Sequence, residues 1–307
     1  MSQPNSGPGF ISRVSPVQVR PPLIDLPDWF PAPLSTSLDV RFGESNAEYH
    51  SDARPSKSSI ADFDVGGPLL FELKHVLRAV PPEQSPAMSF GTILHEWVEL
   101  GNDAFWDRVV PVPPEYATLA GEIGKKGDEW LKTLPPDAIP LTDTLAAKLR
   151  LQTSQLLRNS RAREILEEKV GGEFSVRFEF AGHPIRCRPD IATKTLWADV
   201  KTTREVQPKA EWFKSVRQYR YAMQSAIYEE GARQCGWPDF KLVYIVTSTV
   251  PPHYCHCMTI PDPWVAQARV RVLQILEEIA ERKSIGHWYP DDYGQVIEVP
   301  FPGSQRS

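Results

Sequence analysis

Two aspartates and a lysine stand close together in the string Arg186-Cys187-Arg188-Pro189-Asp190, eight intervening residues, then Asp199-Val200-Lys201. Side chains two apart on a strand point the same way, so Asp199 and Lys201 are predicted on one face. Asp190, at the end of the neighbouring strand, can reach the same spot. Two carboxylates beside an ammonium suit a hard, oxygen-seeking cation such as Mg²⁺. Such a cation can polarise a phosphate and lower the pKa of a bound water, while the lysine orients that water and offsets developing charge. The plainer reading is an edge hairpin with a surface Asp–Lys pair, because short charged strings recur by chance.

Two further groups of residues bear on the choice. Gly91, His95 and Glu99 are spaced four apart and fall on one helical stripe, with Ile93, Leu94, Trp97 and Leu100 left to seat the helix on a core. The glycine lets that helix approach other backbone closely. A lone helical histidine is more often a structural hydrogen-bonder than a metal ligand. Tyr221, Gln224 and Tyr228, at i, i+3 and i+7, form a second stripe in which an amide between two phenols can hold the lysine or meet a phosphate. Its alternative is a packing stripe with both tyrosines in the core.

The elements that must position these residues follow from hydrophobic pattern. Short helices are expected over 59–63 and 69–80, a clearer one over 88–100, and two or three more between 114 and 168. Glu173 to Phe180 alternates as a half-buried strand does. A turn at Ala181-Gly182-His183-Pro184, a returning strand over 185–190 and a third over 196–202 make a three-stranded meander. Helices follow over 210–235, then strands over 240–248 and 253–259, and a closing helix over 263–282. That order predicts a mixed sheet flanked by helices, in one α/β or α+β domain spanning 46–295. Residues 1–45 are rich in Pro, Ser and Gly, and read as a disordered or extended tail from which Phe10, Trp29 and Phe30 can dock. Residues 296–307 read as a flexible C-terminal tail.

Composition sets wider limits. The chain has 307 residues, 41% of them hydrophobic and 24% charged, in the range of ordinary globular proteins. No stretch approaches a membrane span, and the N-terminus lacks the apolar core of a secretory signal, so a cytoplasmic location is expected. The net charge of −5 does not advertise nucleic-acid binding, although a site that collects carboxylates around metals needs basic residues only locally. Cys187, Cys235, Cys255 and Cys257 show no disulfide framework. Cys255 and Cys257 within His253-Tyr254-Cys255-His256-Cys257 lack the partner pair of a zinc site, and read as a strand with both thiols on one face.

The ordered series Gly91-Thr92-x-x-His95, a Glu-bearing strand, Arg188-Pro189-Asp190, Asp199-x-Lys201 and Gln224-x-x-x-Tyr228 resembles the RecB-like branch of the PD-(D/E)xK nucleases. Within that branch, CRPD…ADVKTT…YRYAMQSAIYEEG is similar to the exonuclease VIII (RecE-type) family of phage and prophage recombination nucleases. Pro55-Ser56-Lys57-Ser58-Ser59 and Ala87-Met88-Ser89-Phe90-Gly91 also match that family's N-terminal pattern, so the resemblance spans about residues 48 to 290.

It implies a restriction-endonuclease-like core with extra N-terminal helices. It implies His95, Asp190, Asp199 and the Val200 carbonyl as metal ligands for Mg²⁺, with Mn²⁺ as substitute. Lys201 becomes the catalytic lysine, Gln224 and Tyr228 its support, and Glu173 an acidic position for a second metal or a bridging water. Asp199, shorter but chemically equivalent, stands where many relatives carry Glu. The iron–sulfur cysteines of some RecB-like relatives have no match here.

The substrate implied is linear duplex DNA, cut exonucleolytically during recombination or repair, with a homo-oligomer and a single-strand annealing protein as partners by analogy. An endonuclease for branched or nicked DNA, and a non-catalytic DNA-binding scaffold, are the alternatives. Arg186, Arg188, Lys209, Lys214, Arg217 and Arg220 flank the site and either neutralise phosphates or are solvated surface charges. Thr202, Thr203 and Tyr221 are further candidates for DNA contact.

Overall fold

The computed structural model describes residues 26–35, 37–81, 86–118, 121–237 and 240–295, with side chains of 86–89 left aside. Its centre is a four-stranded mixed sheet made of β6 (Ile191–Ala192), β7 (Trp197–Thr203), β8 (Val243–Ser248) and β9 (Cys255–Met258). β7 and β8 run parallel, pairing Asp199 with Tyr244 and Lys201 with Val246, while β6 and β9 flank them antiparallel. A second sheet sets β1 (Asp39–Arg41) and β5 (His183–Cys187) on either side of β4 (Ser175–Phe180). Ala181 and Gly182, at φ 49° and 86°, make the β4–β5 turn in the left-handed backbone that suits strand twist.

The expected three-stranded meander is therefore broken into two sheets. β5 ends at Cys187, and β7 pairs with β6 and β8 instead of with β5. The reason lies at Arg188-Pro189-Asp190. Pro189 has no N–H for a ladder, its carbonyl accepts from the Glu173 amide at 2.8 Å, and the Arg188 carbonyl accepts from the Tyr228 hydroxyl at 3.0 Å. Pairing stops there, and the chain re-enters the other sheet at Ile191.

Among the described residues, ten α-helices wrap these strands: α1 (Asn46–Ser51), α2 (Lys57–Phe71), α3 (Pro86–Leu100), α4 (Asn102–Arg108), α5 (Asp128–Leu131), α6 (Asp143–Arg158), α7 (Ser160–Glu167), α8 (Pro208–Gln218), α9 (Tyr221–Gln234) and α10 (Asp262–Ile285). The two short helices expected around 59–80 are one span kinked at Gly67 (φ 73°) before Pro68, then closed by a wide π turn over Glu72–Val76. Between 109 and 141 the described residues include a parallel strand pair not anticipated from sequence, β2 (Val109–Pro111) with β3 (Ile139–Leu141), two 3-10 turns at Pro114–Tyr116 and Lys125–Gly127, and one turn of α-helix in α5. Thr142 and Asn159 cap α6 and α7 by accepting from the Leu145 and Ala162 amides. α8 and α9 are separated by Arg220, at φ 56°.

Both faces of the mixed sheet are covered. Trp197, Tyr244 and Val246 pack with α9 and α10 in one cluster, whereas Ala198, Val200 and Ile245 pack with α3, α6 and α7 in the other. Side-chain alternation puts Asp199 on the Trp197 side, under α9. Residues 26–35 and 37–45 are not a free tail: Phe30 and Val40 are buried and β1 pairs with β4. Phe10 and residues 296–307 lie outside the described residues. No helix among those residues is long and apolar enough to cross a membrane.

Candidate active site

The corner that ends β5 collects one half of the site. The Asp190 carboxylate accepts from the Val200 amide at 2.6 Å, which ties it to β7. His95, one turn from the end of α3, places Nδ1 3.3 Å from Asp190 Oδ2. Leu94 and Trp97, both buried, hold that helix against the sheet. Glu173 enters from the loop before β4. Its side chain meets the Arg188 guanidinium at 2.7 Å. His95, Glu173 and Asp190 each bring one ligand atom into a common space, all within 4.8 Å of one another.

The other half lies along β7. Asp199 and Lys201 share a face and are ion-paired. Gln224 of α9 donates to Asp199 Oδ1 at 2.5 Å. Asp199, not included in the His95 group, is thus engaged by an amide and an ammonium. The Lys201 ammonium also sits over the Tyr221 ring, 5.6 Å from its centroid. Tyr221 and Tyr228 are both buried and belong to the core cluster, so the packing role and the site role fall to the same helix stripe. Tyr228 spends its hydroxyl on the Arg188 carbonyl, steadying the corner that presents Asp190.

Charges in this pocket are strongly coupled. The Asp190 carboxylate holds His95 protonated up to about 9, against the effect of burial. Burial, then the Asp190 charge, pushes Glu173 up to about 7. Burial alone would raise Asp190, yet the His95 charge and hydrogen bond and the Lys201 charge keep it low. Asp199 is raised by burial and by Asp190, with Lys201 opposing. Lys201 is held charged by Asp199 and Asp190 although it is desolvated.

The remaining predicted residues separate into groups. Arg186 is buried over the Tyr49 ring and donates to the Arg54 carbonyl. Arg188 is taken up by Glu173, Asn46 and the Glu44 carbonyl. Arg188 is thus ion-paired within the fold, whereas Arg186 is buried with a carbonyl and a ring as its partners. Arg220 pairs with Asp64; with exposed Arg217 it lines a groove between α8, α9 and α10. Lys209 and Lys214 are exposed on α8. Thr202 faces Gly91, where an added Cβ would meet its hydroxyl at 3.5 Å, ordinary contact. Gly91 therefore lies against a side chain and not, as expected, against backbone. The Thr203 hydroxyl accepts from the Glu205 amide. Cys255 and Cys257 are free thiols on β9. Lys57 was missed. It lies over the same Tyr221 ring as Lys201, and its only signal was the Pro55-to-Ser59 motif.

One imidazole nitrogen and two carboxylates in a common space, with a third carboxylate and an ammonium adjoining, form a donor set that fits a divalent cation with hard character. A carboxylate–lysine corner on a mixed sheet covered on both faces by helices is the arrangement of a PDDEXK-like fold. Residues 70–295 match the family described as PDDEXK-like domain of unknown function (DUF3799), and the chain belongs to that family. It is similar in structure to a provisionally named exonuclease from Eubacterium rectale. The TM-score is 0.56 over 85% of this chain and 97% of that one, at 17% identity, a likeness that concerns the fold alone. No curated protein matches the sequence significantly.

Proposed function

We propose that the protein is a divalent-metal-dependent deoxyribonuclease, acting as an exonuclease on linear duplex DNA in phage-type recombination or repair. The observation that carries this reading is the ion pair of buried Asp199 with half-buried Lys201, set against the His95–Glu173–Asp190 group. The name of the Eubacterium rectale structure adds support for end-dependent cutting. His95, Glu173 and Asp190 would hold Mg²⁺ or Mn²⁺, together with Asp199 and the Val200 carbonyl. Such an ion supplies Lewis acidity toward a phosphate oxygen and makes a water easier to deprotonate.

The chain's own residues do the rest. Lys201 stays charged across the neutral range, so its N–H groups donate to the attacking water or to the phosphate oxygen that gains charge. Asp199 aims that ammonium, and Gln224 fixes Asp199. Tyr228 holds the Arg188 carbonyl and with it the turn that delivers Asp190. Release of the 3′-oxygen leaves a 5′-phosphate on the product.

The test is incubation of linear duplex DNA, labelled at either end, with and without Mg²⁺, beside a closed circular plasmid. Loss of label from the linear form and survival of the circle are expected. Lys201→Ala should lower kcat by at least about 100-fold while DNA binding persists. Cutting of the closed circle would move the assignment to an endonuclease, and undiminished cleavage by Lys201→Ala would remove it.

A further inference from the structure

Lys57 is a cation whose side-chain partner among the described residues is an aromatic ring and not a carboxylate. It is the first residue of α2 and is half-buried. Its ammonium lies 5.3 Å from the centroid of the Tyr221 ring, and the Lys201 ammonium lies 5.6 Å from the same centroid. Lys201 is neutralised by Asp199. Among the described residues Lys57 has no ion pair and no hydrogen bond from its side chain.

Three circumstances oppose a positive charge at this place. The first turn of a helix presents unpaired N–H groups, so a cation there meets the unfavourable end of the dipole. Burial removes the water that an ammonium prefers. A second ammonium sits on the same ring. Burial first, then the Lys201 charge, brings Lys57 down to about 8, with Asp199 and Asp62 offsetting only part. A methionine would fill the same volume without any of these penalties. What they have in common is that an anion entering the pocket relieves all three.

We propose that Lys57 binds a backbone phosphate of the DNA strand held beside Lys201. Resting on the nuclease reading, this assigns the strand a second phosphate-binding residue, contributed by α2 and separate from the metal ligands. The Tyr221 ring then serves as the shared floor that sets the spacing of the two ammonium groups. Lys57 acts in binding and positioning the strand, so its loss should weaken affinity without removing the metal site.

The experiment uses the full chain and a fluorescent duplex oligonucleotide, with Ca²⁺ replacing Mg²⁺ so that the duplex is not consumed. Anisotropy gives affinity for the wild type, Lys57→Met and Lys57→Arg, on unmodified duplex and on a panel with one neutral methylphosphonate at each position in turn. Lys57→Met should bind about tenfold more weakly, with a slope of log K against log salt shallower by about 0.9. Its Tm should equal or exceed that of the wild type, and Lys57→Arg should recover affinity. One methylphosphonate position that weakens the wild type should cost Lys57→Met nothing more, the signature of a direct pair. The proposal is overturned if Lys57→Met binds as tightly as the wild type, or if every methylphosphonate costs both proteins equally. It is also overturned if Lys57→Met and Lys57→Gln both fail to fold, since the ammonium then serves the fold. Wild-type protein with no affinity for duplex DNA would defeat the nuclease reading itself; affinity indifferent to Lys57 defeats only this proposal.

Discussion

His95 and Glu173 rest, in the metal-free protein, in protonation states that oppose ligation. The Asp190 charge holds the imidazole protonated up to about 9, and burial holds the Glu173 carboxyl protonated up to about 7. Both folded values lie above the ordinary values of 6.5 and 4.5. Each group therefore contributes stability that is complete below its unfolded pKa and is lost as pH rises through the folded one. Metal-free protein should lose thermal stability between pH 6.5 and 9, and His95→Gln should flatten that decline. Ligation needs a neutral imidazole and an ionised carboxylate, so Mn²⁺ binding should release protons and tighten across the same range. Calorimetry in buffers of different ionisation heat reads the proton count directly. Binding with proton uptake would contradict the arrangement of ligands described above.

At the level of elements, the site depends on a loop threaded tightly against a turn. Gly172 lies so close to the Asp190 carbonyl that an added Cβ would sit 2.1 Å from its oxygen. Glu173, the next residue, has φ 51° and donates its amide to the Pro189 carbonyl. Any side chain at 172 must push the Asp190 turn away from His95 and Val200. Gly172→Ala should cost about 1–3 kcal/mol of stability in urea and weaken Mn²⁺ binding at the same time. Normal metal affinity in a destabilised Gly172→Ala would show that the loop and the ligands move independently. The α9 stripe behaves differently. Tyr221, Gln224 and Tyr228 face the sheet as their i, i+3, i+7 spacing requires, so that part of the site was legible from one helix alone.

Across the molecule, the Pro-rich N-terminal stretch is drawn into the core from residue 26 onward. Phe30 packs 4.9 Å from Trp237 and 5.7 Å from Phe174, ring centre to ring centre, and is buried. Arg177, almost fully buried on β4, ties the same stretch down through Glu44 and Asp52. Proline there prevents regular structure but not docking, because aromatic burial needs no backbone ladder. Phe30→Ala should therefore lower unfolding free energy by about 3–5 kcal/mol, measured by urea denaturation. A change below 1 kcal/mol would mean that the stretch is only loosely attached.

Local pattern alone determined the mixed sheet, the shared face of Asp199 and Lys201, the His95 helix and the inward stripe of α9. These depend on periodicities of two and 3.6 residues, which any short window displays. What pattern could not decide was which strands pair, because pairing is a choice among distant partners. The tertiary structure split the meander at Pro189, spent Arg186 and Arg188 on internal partners, and brought Lys57 from more than a hundred residues away onto the ring beneath Lys201. Each of these outcomes follows from packing and from the need to satisfy buried polar groups, and neither force is written in the spacing of neighbouring residues.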